Sequence, residues 1–442
     1  MFRSNRLSAA MLAVVLLAAP SSALAQRAPA PLPAAASPES VGFSAERLKR
    51  LDAAMAQVVA DGRVAGISTL LARHGKVVAF NTHGQANLAD QRPMQKDAIF
   101  RIYSMTKPVT GVAMMILFEE GRWRLDDPVS RYAPELANLM VMTGEDAQGR
   151  PILEPVAREP TMRELMSHTA GFGYGLSDER AVDRMFREKS VLGSSSLQEM
   201  VEKTATIPLL FQPGSDWSYS IAVDIQGHIV EKLSGQTLGA FMAERIFAPL
   251  KMPDTGFHVP AASAHRLAAV YVGAPEGGPL FEARELAGAP AQDFTVPPAL
   301  ESGGGGLVST VSDYARFAQM IANGGQLDGV RILSPATVEL MGTDMIPADA
   351  LVSSNGSVGT RFNDAVGFGL DFAVVKDPRK AGSLEGQGTM SWGGAAGTWF
   401  WVDPTNDVVF VGMIQRFGGT GGPDLGTATR TLVYQALVDP AK

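Results

Sequence analysis

The stretch Phe100-Arg101-Ile102-Tyr103-Ser104-Met105-Thr106-Lys107-Pro108-Val109-Thr110 decides how this chain reads. An irregular segment runs into a helical pattern whose apolar stripe is Val109, Val112, Ala113, Ile116 and Leu117, with a stop at Gly121. Pro108 falls in the first turns, where a helix tolerates proline. Here lies the one Ser-x-x-Lys of the 442 residues, Ser104 and Lys107. Helical residues three apart share a face, so hydroxyl and amine can touch, and a hydroxyl needs a touching base to become a nucleophile at neutral pH. The tetrapeptide also suits a plain helix start, with Ser104 near the N-cap and Lys107 in solvent. Partners further along the chain decide between the two.

Composition narrows the classes. Residues 1–25 read as an export signal: Arg3 and Arg6 open it, an apolar run spans Leu7 to Pro20, and Ala23-Leu24-Ala25 is a cleavage site. The run is too short for a stable membrane anchor, so a periplasmic or secreted protein beginning at Gln26 is expected. The chain has no cysteine, which excludes disulfides, zinc thiolates and a cysteine nucleophile. A net charge of −7 argues against nucleic acid as a partner. Six scattered histidines lack metal-ligand spacing, and neither a metal nor a cofactor is implied.

Outward from Ser104 the chain reads as α+β. Residues 26–39 are Ala/Pro-rich and expected to be a flexible spacer. A helix follows through Leu48, Leu51, Met55 and Val58, then a hairpin from Ile67 to Phe80 that turns at His74-Gly75-Lys76. Apolar β-like runs recur at Phe368 to Val375, Thr398 to Val402 and Val408 to Met413, before a last helix from about Thr427. Thr310 to Asp313 fits a capping box ahead of a helix. The expected organisation is a sheet domain from 40–125 and 300–442, with a mainly helical domain, 126–299, between them.

Three distant segments could complete a site around Ser104. Phe211 to Ile221 carries Tyr219 on a loop; near a lysine ammonium, a phenol can carry protons. Gly303 to Gly306 lacks the Lys-Ser/Thr of a phosphate cradle and reads as a bend where backbone passes close to something. Ser391 to Gly397 is a strand of small residues whose N–H groups can stabilise an oxyanion. His168 lies in a Ser-His-Thr-Ala-Gly turn that reads as architectural, and Asp224 is expected to fix the Tyr219 loop.

Together these segments resemble the serine β-lactamase and penicillin-binding-protein superfamily, and within it the family VIII carboxylesterases, which look like class C β-lactamases. The likeness covers roughly Ser40 to Val438 through FRIYSMTKPVT, LDDPVSRYAPEL, LMSHTAGF, FQPGSDWSYS, GGGGLVSTVSDYARFAQMI and SWGGAAGTWFWVDP, in matching order. It implies a β-lactamase/DD-peptidase-like fold, an antiparallel sheet flanked by helices plus a mainly helical domain, with the active site between them. It also implies Ser104 as acylated nucleophile, Lys107 and Tyr219 as the base system, and the N–H groups of Ser104 and Ala395 as oxyanion hole. Trp392, Gly393 and Gly394 would occupy the place of the lysine-threonine-glycine strand. Which of Lys107 and Tyr219 takes the first proton stays open.

Two departures bear on substrate. Ile221 stands where β-lactamases usually have the asparagine of tyrosine-x-asparagine, and Trp392 where they usually have lysine. Both remove polar groups that would need a polar ligand partner. The expected activity is therefore hydrolysis of neutral short- to medium-chain esters, fastest on the alkaline side because a lysine base must shed its proton. The alternatives are a β-lactamase or D-alanyl-D-alanine peptidase, and a non-catalytic cell-wall-binding scaffold.

Overall fold

The computed structural model describes residues 31–273, 278–283, 285–286, 289–290, 292–350, 362–418 and 423–441. The expected signal, residues 1–25, lies outside them. Among the described residues no helix is long and apolar enough to cross a membrane.

An eight-stranded antiparallel sheet organises the chain. In sequence its strands are β1 (Gly66–Arg73), β2 (Lys76–Asn87), β3 (Arg92–Pro93), β4 (Val366–Phe368), β5 (Ala373–Val375), β6 (Met390–Gly393), β7 (Trp399–Asp403) and β8 (Val408–Met413). In space they run β4-β5-β6-β7-β8-β1-β2-β3, so strands from the two ends of the chain meet where Ser68 pairs with Met413 and Arg73 with Val408. The β1–β2 hairpin closes through His74 and Gly75, both with positive φ (52° and 69°), the two-residue turn that matches strand twist. The apolar run expected from Phe368 to Val375 is two strands, because Asp371 adopts a φ of 65° and turns the chain back.

Alternation along the strands builds two cores, since successive side chains point to opposite faces. Ile67, Leu71, Trp401 and Phe410 pack on one face against α1 (Ala45–Ala60) and the C-terminal helix Leu425–Tyr434. Leu70, Phe400, Val409 and Val411 point the other way, onto the buried helix Val311–Ala322. Arg73, itself buried, ties the chain ends together through the carbonyls of Val41, Asp439 and Pro440.

Three details depart from the sequence reading. The spacer is packed from Leu32 onward: Leu32 is buried, and Ala35 N–H donates 2.8 Å to the Val77 carbonyl. The middle region is not only helical, since Met140–Glu145 pairs with Pro151–Pro155 and Tyr271–Gly273 with Leu280–Glu282. Only half of the capping box forms. Thr310 accepts from Asp313 N–H at 3.1 Å, but the Asp313 carboxylate turns away to accept from Asp254 N–H and Thr255 Oγ1.

Candidate active site

Ser104 sits on a single 3₁₀ turn, Tyr103–Met105, that feeds directly into α2 (Thr106–Glu119). Tyr103 takes a φ of 42°, a left-handed conformation that a bulky residue holds only under constraint. The constraint is visible. Ile102 N–H donates to the Leu307 carbonyl at 3.0 Å, Thr398 Oγ1 to the Ile102 carbonyl at 3.2 Å, and the Tyr314 hydroxyl to the Met105 carbonyl at 2.9 Å. The nucleophile turn is thus pinned between the glycine-rich bend and the β6–β7 turn.

Lys107 is fully buried on the first turn of α2. Its Nζ donates to Ser104 Oγ at 3.4 Å, to the Gly304 carbonyl at 2.6 Å and to the Tyr174 hydroxyl at 3.3 Å. The sequence pairing of Ser104 with Lys107 is therefore a contact in space, and the solvent-exposed helix start is excluded. Gly304 shows why this bend needs glycine: an added Cβ would stand 2.4 Å from Asp224 Oδ2 and 2.7 Å from the Tyr174 hydroxyl.

Tyr219 arrives from its distant loop, just ahead of the helix Ala222–Ser234. Its ring face lies toward Lys107, with Nζ 4.5 Å from the ring centroid, while its buried hydroxyl makes no hydrogen bond to protein. The 168–173 segment holds the loop in place: His168 Nδ1 pairs with Ser220 Oγ at 2.8 Å, and Ile221 N–H donates to the Gly173 carbonyl at 2.9 Å. His168 is thus part of the framework. Burial, with Lys107 adding to it, pushes its proton affinity well below the histidine range, so it stays neutral.

Asp224 does a different job from the one expected. Its Oδ1 accepts from Ser302 Oγ and from Gly304 N–H (3.1 Å), so it fixes the glycine bend rather than the Tyr219 loop. Burial raises the affinity of Asp224 for a proton against the opposing pull of Lys107, and burial raises that of Asp371 far more. Sequence reading passed over Tyr174 and Asp371. Tyr174 closes the run His168-Thr169-Ala170-Gly171-Phe172-Gly173-Tyr174, and a phenol directly after two glycines was the available signal.

Ser104, Tyr174, Tyr219, Trp392, Gly393, Gly394 and Ala395 line one cleft of about 1540 Å³. Trp392 stands 5.6 Å from Tyr219 and 5.3 Å from Phe368, centroid to centroid, as an apolar wall. Gly394 and Gly397 close the turn after β6, with Gly394 N–H on the Thr398 carbonyl at 2.7 Å. Among the described residues no backbone acceptor engages the Ala395 N–H. Ile221, expected at the substrate, does not line the cleft; it is fully buried beneath the loop, where its side chain serves the core. What the arrangement offers is a hydroxyl, an amine in contact with it, a second phenol-bearing wall and an apolar trough.

The model of the Beta-lactamase family matches residues 51–434 of this chain. Protein Rv1367c of Mycobacterium tuberculosis (strain ATCC 25618 / H37Rv) is 37% identical, over 82% of this chain and 89% of its own length. Esterase EstB of Burkholderia gladioli is 34% identical, over 90% of this chain and 99% of its own. Among solved structures, EstCE1, titled a hydrolase with promiscuous acyltransferase activity, superposes with a TM-score of 0.71 at 28% identity, covering 88% of this chain and 99% of that one. The chain belongs to the beta-lactamase family, as a serine hydrolase of the β-lactamase fold.

Proposed function

We propose that this protein is an exported carboxylesterase that cleaves neutral, apolar esters through an acyl-enzyme on Ser104. The observation that carries the reading is the 3.4 Å contact between Lys107 Nζ and Ser104 Oγ at a cleft walled by Trp392. Ser104 Oγ attacks the ester carbonyl carbon and gives its proton to the Lys107/Tyr219 pair. The tetrahedral oxyanion lies against the N–H groups of Ser104 and Ala395. Its collapse breaks the C–O bond, and the departing alkoxide takes the proton back. Water, deprotonated by the same pair, then attacks the acyl carbon, releasing the acid and restoring Ser104.

Two features favour an ester over an anionic lactam. Trp392 presents carbon where a lysine would present charge, and the cleft rim exposes Leu176, Leu192 and Val296. That rim and the roughly 1540 Å³ of space suit a bulky apolar group on one side of a short- or medium-chain ester. The names of EstB and EstCE1 support hydrolysis of the same kind.

The test sets p-nitrophenyl butyrate beside nitrocefin and a D-alanyl-D-alanine peptide on purified protein. Ester turnover that exceeds both, and disappears in Ser104→Ala together with fluorophosphonate labelling, is the expected result. Faster turnover of nitrocefin or the peptide overturns the ester reading. Export is tested separately, by whether the mature protein begins at Gln26.

A further inference from the structure

Of the oxygens that meet the Lys107 amine, one belongs to neither the nucleophile nor the glycine bend: the Tyr174 hydroxyl, at 3.3 Å. Tyr174 lines the same cleft as Ser104, and its ring stands edge-on to Tyr219 with centroids 5.5 Å apart. Its hydroxyl faces Asp224. Asp224 in turn binds Ser302 Oγ and the N–H of Gly304, the residue whose carbonyl takes Lys107 at 2.6 Å. One buried carboxylate therefore backs two of the Lys107 acceptors. The Tyr219 hydroxyl stands outside this net, with no hydrogen bond to protein.

We propose that Tyr174 is a positioning residue for the reaction: backed by Asp224, its phenol oxygen holds the Lys107 amine against Ser104 and leaves the Tyr219 hydroxyl free for the leaving group. Tyr174 accepts from the amine, donates to the carboxylate and undergoes no net change. The inference rests on the reading of Ser104 as the nucleophile.

The groups around the amine are Ser104 and Tyr174, the Tyr219 ring, Asp224 from its helix, Asp371 from the β4–β5 turn and the neutral His168. Removing the phenol takes one acceptor from the ammonium form and leaves Asp224 readier to bind a proton. Both changes favour the free amine. The acidic limb of the rate profile should therefore move to lower pH while the rate itself falls, because the amine is no longer held on Ser104.

The test is Tyr174→Phe, which keeps the ring and deletes the hydroxyl. Expected are a fall in kcat of about 10- to 100-fold, the size set by one charge-assisted hydrogen bond, with KM changed less than about 3-fold. Fluorophosphonate labelling of Ser104 should slow in parallel, and the acidic limb should shift downward. Unchanged labelling and an unchanged pH profile overturn the proposal. A second arm places 3-fluorotyrosine at 174, which keeps shape and fold but weakens the acceptor. It should move the acidic limb in the same direction by less, and an unmoved limb counts against the proposal even where Tyr174→Phe does not fold. Ester turnover surviving in Ser104→Ala would instead sink the nucleophile reading itself.

Discussion

The Lys107 amine lies 3.4 Å from the Ser104 hydroxyl, one turn along the same helix, with the whole lysine side chain out of water. A buried cation surrounded by neutral acceptors is costly, so this amine is poised to give up its proton rather than merely to balance charge. Lys107→Arg keeps the charge and cannot lose it at any working pH. Ester turnover in that variant should fall by at least about 10³-fold, as in Lys107→Met. Stopped-flow release of p-nitrophenol measures it, and an active Lys107→Arg enzyme would remove the lysine base from the mechanism.

Tyr219→Phe should separate activity from stability. The hydroxyl is buried and bonds no protein group, so deleting it sheds an unsatisfied polar atom. Turnover should drop about 10²- to 10⁴-fold, the range for a lost general acid or base, while the urea midpoint holds or rises. A lower midpoint with near-normal turnover would make Tyr219 structural.

Gly304→Ala should damage the site through a contact of backbone origin. Its new carbon would sit 2.4 Å from Asp224 Oδ2, so the bend must move and carry the Gly304 carbonyl off Lys107. Activity should fall about 10-fold or more with a lower melting temperature. Gly144→Ala, whose added carbon meets nothing within 4 Å, is the matched control for both readouts.

Trp392→Lys tests why the cleft is apolar. The side chain is only 8% exposed and packs on Tyr219 and Phe368, so a charge there is poorly solvated. kcat/KM for neutral esters should fall about 10-fold or more, and stability by about 3 kcal/mol. Denaturant titration and a substrate panel check both, and unchanged ester turnover would take Trp392 out of the binding wall.

His228 predicts an acid limit to stability. Burial lowers its proton affinity to a pKa of about 4, from a model value of 6.5. Between those values the unfolded chain binds a proton that the folded chain refuses, so stability is full above about pH 6.5 and is lost as pH falls toward 4. His168, held neutral in the same way, adds to the loss. Urea midpoints at pH 5 and pH 7 should differ less in His228→Gln than in the unaltered protein.

What the sequence alone determined is local. The Ser104–Lys107 contact follows from helical spacing, the β1–β2 hairpin from two apolar runs around a glycine turn, and the strand Val408–Met413 from an apolar run of the right length. The Tyr219 loop was placed through family resemblance, and the structure brings its ring to Lys107. Tertiary structure decided the rest. Sheet order joins segments more than 300 residues apart, which no short-range pattern encodes. Ile221 is two residues from Tyr219, yet one side chain meets the core and the other the cleft. Asp224 reaches a bend some 80 residues away, and Tyr174 meets Lys107 across 67. Spacing fixes which neighbours on one element can touch; only packing of distant elements fixes which polar tip fills the space between them.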